Sequence, residues 1–202
     1  MSKQARQEQT YPLQRMTTRT NSYFAALSCA VALSLAGCGQ PDHIELLGVH
    51  PGMTQDAVKS AAPSGSSLYC RGDGDAAFDQ VSGLPPSTTL TFCTWTSLDS
   101  AGVRGRAQVA IGSFTSAEQQ FAFDNSDGTL KSFSVEIAGN AFDPIVKTLS
   151  DKFGSPKSSS GLPGIMGGVH WEAKDGTLTA STDEQRPYMT LLMLQTSPAK
   201  RS

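Results

Sequence analysis

The sequence predicts an α+β domain in which an antiparallel sheet carries two helices packed on one face. Three observations carry that expectation. Short runs rich in β-branched and aromatic residues alternate apolar and polar positions; two other segments repeat apolar residues at helical spacing; and the doublet Asp-Gly separates strand-like runs at Asp127-Gly128 and at Asp175-Gly176. Asp-Gly-Thr-Leu recurs at both places, a hint of a duplicated helix-plus-hairpin unit.

At the amino terminus, Arg15 and Arg19 precede an uncharged run from Tyr23 to Leu35. The run is too short to cross a hydrocarbon core of roughly 30 Å as a helix. It ends in Leu35-Ala36-Gly37-Cys38, small residues followed by a cysteine, which resembles the lipobox of a bacterial lipoprotein signal peptide. The resemblance implies that 1–37 is a signal peptide, that Cys38 carries the lipid, and that 38–44 is a lipidated tether to a single α+β domain at 45–197 with a tail at 198–202. Residues 1–15 are long and polar for a leader, so Met16 is an alternative start. Gly39, where an Asp would retain such a protein in the inner membrane, implies the periplasmic face of the outer membrane. Several acyl chains moor a protein durably, each buried CH₂ contributing about 0.8 kcal/mol.

Of the four cysteines, Cys29 would leave with the leader and Cys38 would be acylated, so Cys70 and Cys93 remain as an even pair in an oxidising compartment. A disulfide is expected, worth about 3 kcal/mol on chain-entropy grounds. A metal pair would need further ligands, and His43, His50 and His170 have no zinc spacing with these cysteines. The full chain has a formal charge of −2. Loss of Lys3, Arg6, Arg15, Arg19 and Glu8 leaves 12 basic and 17 acidic residues among 165, about −5. A phosphate-binding surface needs the opposite excess, so nucleic acid is not an expected partner.

Within the expected domain, Thr54 is a natural N-cap for 54–62, with Met53, Ala57, Val58 and Ala61 on one stripe and Pro63 as terminator. A Gly-, Asp- and Ser-rich loop is expected around Cys70. Thr88 to Thr96 reads as a strand with Leu90, Phe92 and Thr94 on one face and Thr91, Cys93 and Trp95 on the other; 104–111 reads as the next strand. Runs 120–124 and 130–137 flank Asp127-Gly128, a hairpin signal. Phe142 to Phe153 is the clearest helix: Asn140 is the expected N-cap, Pro144 sits in the first turn, Gly154 and Pro156 stop it, and Phe142, Ile145, Val146, Leu149 and Phe153 form an apolar face. After a flexible 158–168 stretch, 169–173 and 177–181 flank Asp175-Gly176 as a second hairpin of the same type, and Met189 to Leu194 is a terminal strand.

Leu47-Gly48-Val49-His50-Pro51-Gly52-Met53-Thr54 with Val58 resembles the G-x-x-x-G-M-T-x-x-x-V opening of the BamE (SmpA/OmlA) outer-membrane lipoproteins. The helix ending Phe153-Gly154-Ser155-Pro156, followed by Trp171 and Asp175-Gly176, is similar to that group and to β-lactamase-inhibitor-like repeats. The resemblance spans about two-thirds of the expected domain and implies a sheet used for protein binding.

No catalytic constellation emerges. Arg71-Gly72-Asp73-Gly74-Asp75 mimics a calcium loop but lacks the later ligands, since Ala76 and Ala77 follow. Ser113 and His170 lack a nucleophile elbow. Gly161, Gly164, Gly167 and Gly168 lack the Lys-Ser/Thr of a phosphate loop. The favoured class is therefore a non-enzymatic module, without metal or cofactor, that binds a periplasmic or outer-membrane protein in envelope assembly or in enzyme inhibition or immunity. Tyr69, Trp95, Trp171 and Tyr188 are candidate contact residues, with core packing as their competing role. The rival class is a cell-wall or small-molecule hydrolase, which needs two carboxylates about 5 to 10 Å apart.

Overall fold

The computed structural model describes residues 42–158, 165–183 and 185–197; the expected leader, Cys38, Gly161, Gly164 and the 198–202 tail lie outside the described residues. Their alternating runs form ten strands: β1 (Ser67–Cys70), β2 (Leu90–Leu98), β3 (Arg104–Arg106), β4 (Ala110–Ile111), β5 (Phe114–Asp124), β6 (Leu130–Ala138), β7 (Lys157–Ser158), β8 (Ile165–Glu172), β9 (Gly176–Asp183) and β10 (Met189–Thr196). Three described helices accompany them, α1 (Gln55–Ser60), α2 (Ala76–Val81) and α3 (Phe142–Phe153). The sheet runs β1-β2-β5-β6-β10-β9-β8-β7, every pair antiparallel, with β3 on β2 and β4 on β5. The sequence-final strand thus lies inside the sheet, between β6 and β9. No described helix is long and apolar enough to cross a membrane.

Register explains why one face is the core. Paired residues share a face, and Cys70, Cys93, Phe121, Phe133, Leu194, Leu178 and Trp171 are paired in succession across seven strands. All seven are buried. Phe121 and Phe133 stack at 4.4 Å, and Trp95 meets both edge-on. The next row on the opposite face, Gln120, Ser134, Met193, Thr179 and His170, is half-exposed and mostly polar. The apolar side joins one core with Ile44, Leu46, Val49, Val58, Ile145 and Leu149. Both tryptophans satisfy a helix carbonyl: Trp95 Nε1 donates to Val58 O (3.2 Å) in α1 and Trp171 Nε1 to Gly154 O (2.9 Å) at the end of α3. A buried indole N–H thereby finds an acceptor among carbonyls near a helix terminus.

The cysteine pair forms the expected disulfide, Cys70–Cys93, between directly opposed residues of β1 and β2. Several local expectations are corrected. The supposed loop around Cys70 contains β1 and α2; with six residues and Phe78 as its buried residue, α2 offers no apolar period to detect. Its signal was a cap, Asp75, whose carboxylate accepts from Phe78 N (3.0 Å). Phe78 packs with Tyr69, Leu84 and Phe92 in a second cluster apart from the main core. The expected strand 104–111 divides because β2 and β5 separate beyond the Cys93–Phe121 pair. The buried Gln119 fills that fork, its Nε2 donating to Trp95 O (3.0 Å) and Ala107 O (2.8 Å). At α3 the N-cap position is Ala141, without a side-chain cap, rather than Asn140. Thr54 does cap α1, accepting from Ala57 N (3.3 Å). The stretch expected to be flexible holds β7 and the start of β8 on either side of 159–164, which lie outside the described residues.

The two Asp-Gly turns differ in kind. Gly128 has φ +68° with open space around it, the conformation expected of such a turn. Gly176 has no left-handed φ; a Cβ there would overlap the backbone oxygen of Gln195 and lie 2.5 Å from Pro51 Cγ. The first glycine serves a turn and the second a close approach.

Three outcomes follow. Gly176→Ala should lower stability by at least about 2 kcal/mol, through overpacking against backbone, whereas Gly128→Ala should cost about 1 kcal/mol; urea midpoints distinguish them. Replacing both Cys70 and Cys93 by Ser should cost about 3 kcal/mol by the same measurement. Lys131, bonded to the Asp127 carboxylate at 2.8 Å, and then Thr129 pull that carboxyl from 3.8 down to about 2. A depressed folded pKa stabilises above the unfolded value, and the contribution disappears as pH falls through the folded one. Asp127→Asn should therefore flatten the acid limb of the stability–pH curve between about 4 and 2.

Candidate functional site

Of the four candidate contact aromatics, three are core residues. Trp95 is fully buried under α1, Trp171 is 4 % exposed, and Tyr69 is 3 % exposed, its hydroxyl donating to Asp79 Oδ1 (2.9 Å) and Asp75 O (3.1 Å). Burial foremost, and then the bond to Asp79, raises the Tyr69 phenol above its ordinary pKa and keeps it a donor. Tyr188, 56 % exposed just ahead of β10, is the one of the four at the surface.

The charged side chains of the Arg71–Asp75 loop are engaged by nearby donors and acceptors. Asp73 Oδ2 accepts from Cys70 N (2.8 Å), Asp75 caps α2 and accepts from Arg104 Nε (3.2 Å), and Arg71 Nη1 donates to Leu84 O (2.6 Å). Carboxylates committed to N–H donors in this way stabilise the loop. No group of three His, Cys, Asp or Glu among the described residues is arranged to hold a metal.

Beside this loop opens a hollow of about 310 Å³. Leu90 and Phe92 supply apolar wall from β2, Pro85 and Pro86 a rigid opposite side, and Arg71 and Asp79 the charged rim. Each side chain has a local reason to be there. Leu90 and Phe92 sit on the β2 face away from the main core; the proline pair cannot extend α2; and Arg71 follows Cys70, which the disulfide pins to β2. Asp79 is its lone carboxylate, already accepting from Tyr69 and from Gly72 N (3.2 Å). A second hollow of about 350 Å³ lies at the start of α3 between Asn140, Phe142, Asp143, Pro187 and Thr190 and again has one carboxylate. Neither hollow contains a pair of carboxylates. His170 Nε2 lies 3.3 Å from Glu172 Oε1, whose carboxyl is held below its ordinary range chiefly by Lys157.

The hollow beside the disulfide was missed in the sequence because its parts come from the loop after β1, α2, the proline turn and β2. Pro85-Pro86 followed by a strand carrying Leu90 and Phe92 on one face was the available signal. Comparison with protein-family models, curated proteins and solved structures finds no match to this chain.

Proposed function

We propose that this chain is a lipid-anchored module on the periplasmic face of the outer membrane that binds another envelope protein and performs no chemistry on it. The observation that carries the reading is the hollow beside Cys70–Cys93: apolar side chains and a proline wall with a charged rim, and a single carboxylate already engaged in hydrogen bonds. Apolar side chains interleaved with polar groups suit recognition. Hydrolysis by acidic residues needs two carboxylates facing a common substrate, and neither hollow offers them. The lipobox-like segment and the disulfide support the compartment, since disulfides persist where thiols are oxidised.

The same proposal takes α1 and α3 to cover one face of the sheet as equivalent parts of a duplicated unit. Support comes from strand order: β1-β2-β5-β6 meets β10-β9-β8-β7 at the β6–β10 pair, so two four-strand halves abut. Each half follows a helix, and each has a tryptophan in its second strand bonded to that helix or its cap. The repeated Asp-Gly-Thr-Leu does not relate the halves, because it joins β5 to β6 in one and β8 to β9 in the other.

The test uses the full chain expressed in a diderm bacterium with radioactive palmitate. The wild type should be labelled and Cys38→Ser unlabelled. Cross-linking in intact cells should recover a discrete envelope protein, and Pro86→Arg, which fills the hollow from an exposed position, should reduce recovery about tenfold, a loss near 1.4 kcal/mol. An unlabelled wild type overturns the anchor; turnover of peptidoglycan by pure protein, with no cross-linked partner, overturns the binding role.

A further inference from the structure

The end of the expected tether and the segment that leads from it to α1 are locked against the β8–β9 turn. Asp175 does most of this: its Oδ1 accepts from Ile44 N (3.1 Å) and its Oδ2 from His43 Nδ1 (3.1 Å), while Gly176 beside it lets Pro51 close in. Asp42 pairs with Lys174 of the same turn. The clamp brings His43 and His50, seven positions apart and without metal-binding spacing, to a ring-centroid separation of 5.9 Å with planes inclined at 52°.

The hydrogen bonds also determine which ring nitrogen is free. His50 Nδ1 lies 2.9 Å from Pro51 O, a carbonyl that can only accept, and His43 Nδ1 faces Oδ2 of the Asp175 carboxyl group, whose Oδ1 accepts from Ile44 N. Both Nδ1 atoms therefore carry the proton in the neutral rings, which leaves the lone pair on each Nε2. A carboxylate or backbone carbonyl on the far nitrogen is the outer arrangement that orients metal-ligating histidines and raises their basicity. The spacing fits as well. With metal–nitrogen bonds of about 2.0 to 2.1 Å, two imidazoles on one ion have centroids about 5.2 Å apart at a tetrahedral angle and about 6.4 Å apart when opposed. The observed 5.9 Å lies between these limits. His43 is 74 % exposed, so an ion reaches the pair from solvent.

We propose that His43 and His50 form a two-nitrogen site for a divalent transition metal, copper(II) ahead of zinc, where the N-terminal segment meets the β8–β9 turn. Imidazole suits both ions and the divalent stability series favours copper. With no third His, Cys, Asp or Glu arranged around the pair among the described residues, water fills the remaining positions. The Met53 sulfur, 3.2 Å from His50 N, sets a soft thioether beside the same residue. Occupancy would cross-link the root of the tether to itself, and it is independent of what the hollow binds.

The test uses the full chain in detergent, with Cys29→Ser and Cys38→Ser in every sample so that free thiols do not compete. Copper(II) titration should give one equivalent bound, with an electron paramagnetic resonance spectrum coupled to two imidazole nitrogens, and zinc should bind more weakly. His43→Asn and His50→Asn should each weaken binding by at least about tenfold, and His170→Asn should leave it unchanged. Nitrogen NMR of the metal-free protein should find both rings protonated at Nδ1, a readout needing no variant at either histidine. Affinity unchanged in the double variant, affinity lost with His170→Asn alone, or either ring protonated at Nε2 would overturn the proposal.

Discussion

The succession of paired buried side chains from Cys70 through Cys93, Phe121, Phe133, Leu194 and Leu178 to Trp171 is the constraint on which the rest of the molecule depends. A slip of one residue in any of these pairings would turn a strand's apolar set to the opposite face, so each pairing enforces the next. The stacked phenylalanines stand near the middle, with Trp95 against both, and aromatic contacts of this kind add about 0.5 to 1.5 kcal/mol each beyond the area they bury. At one end the disulfide makes the pairing of β1 with β2 covalent.

The apolar ladder also explains how the surface is divided. Because it claims one face, the alternate residues of β6 and β9, with Gly168, His170 and Glu172 of β8, are small or polar, whereas β10 presents the half-buried Leu191 and Met193 there. At the β1–β2 end the other face gains an apolar cluster, under α2, and there the hollow opens beside the Arg71–Asp75 loop. Charges that look reactive along the chain are used to hold this end together. Asp73, Asp75 and Asp79 all accept from nearby donors, and Arg106 reaches the carbonyls of both Ser82 and Gln119. Among the described residues, the oxygen of the buried Gln119 side chain, in the fork between β2 and β5, has no hydrogen-bond partner.

At the opposite end of the sheet, the turn between β8 and β9 does more than reverse the chain. Asp175 and Gly176 receive the segment that precedes α1, so the start of the described chain and its last three strands are coupled through one short contact. Local strand signals cannot reveal this. An Asp-Gly doublet looks the same whether its glycine supplies a positive φ, as Gly128 does, or merely the absence of a side chain, as Gly176 does.

What the sequence by itself determined is local and periodic. It set the alternation that assigns Cys93 and Trp95 to one face of β2 and Phe92 to the other, the Thr54 cap, and the bounds of α3 between Phe142 and Gly154; these follow from backbone sterics and hydrogen bonding within a few residues. The even pair of cysteines likewise pointed to the disulfide that joins β1 and β2. Tertiary structure decided everything that requires distant segments to meet. It inserted β10 between β6 and β9, buried three of the four aromatics that were candidates for contact, split 104–111 around Gln119, made a helix of 76–81, and brought His43, His50 and Asp175 together. The reason is physical: a residue's spacing in sequence selects its face, whereas its neighbours on that face are selected by which apolar surfaces exclude water together.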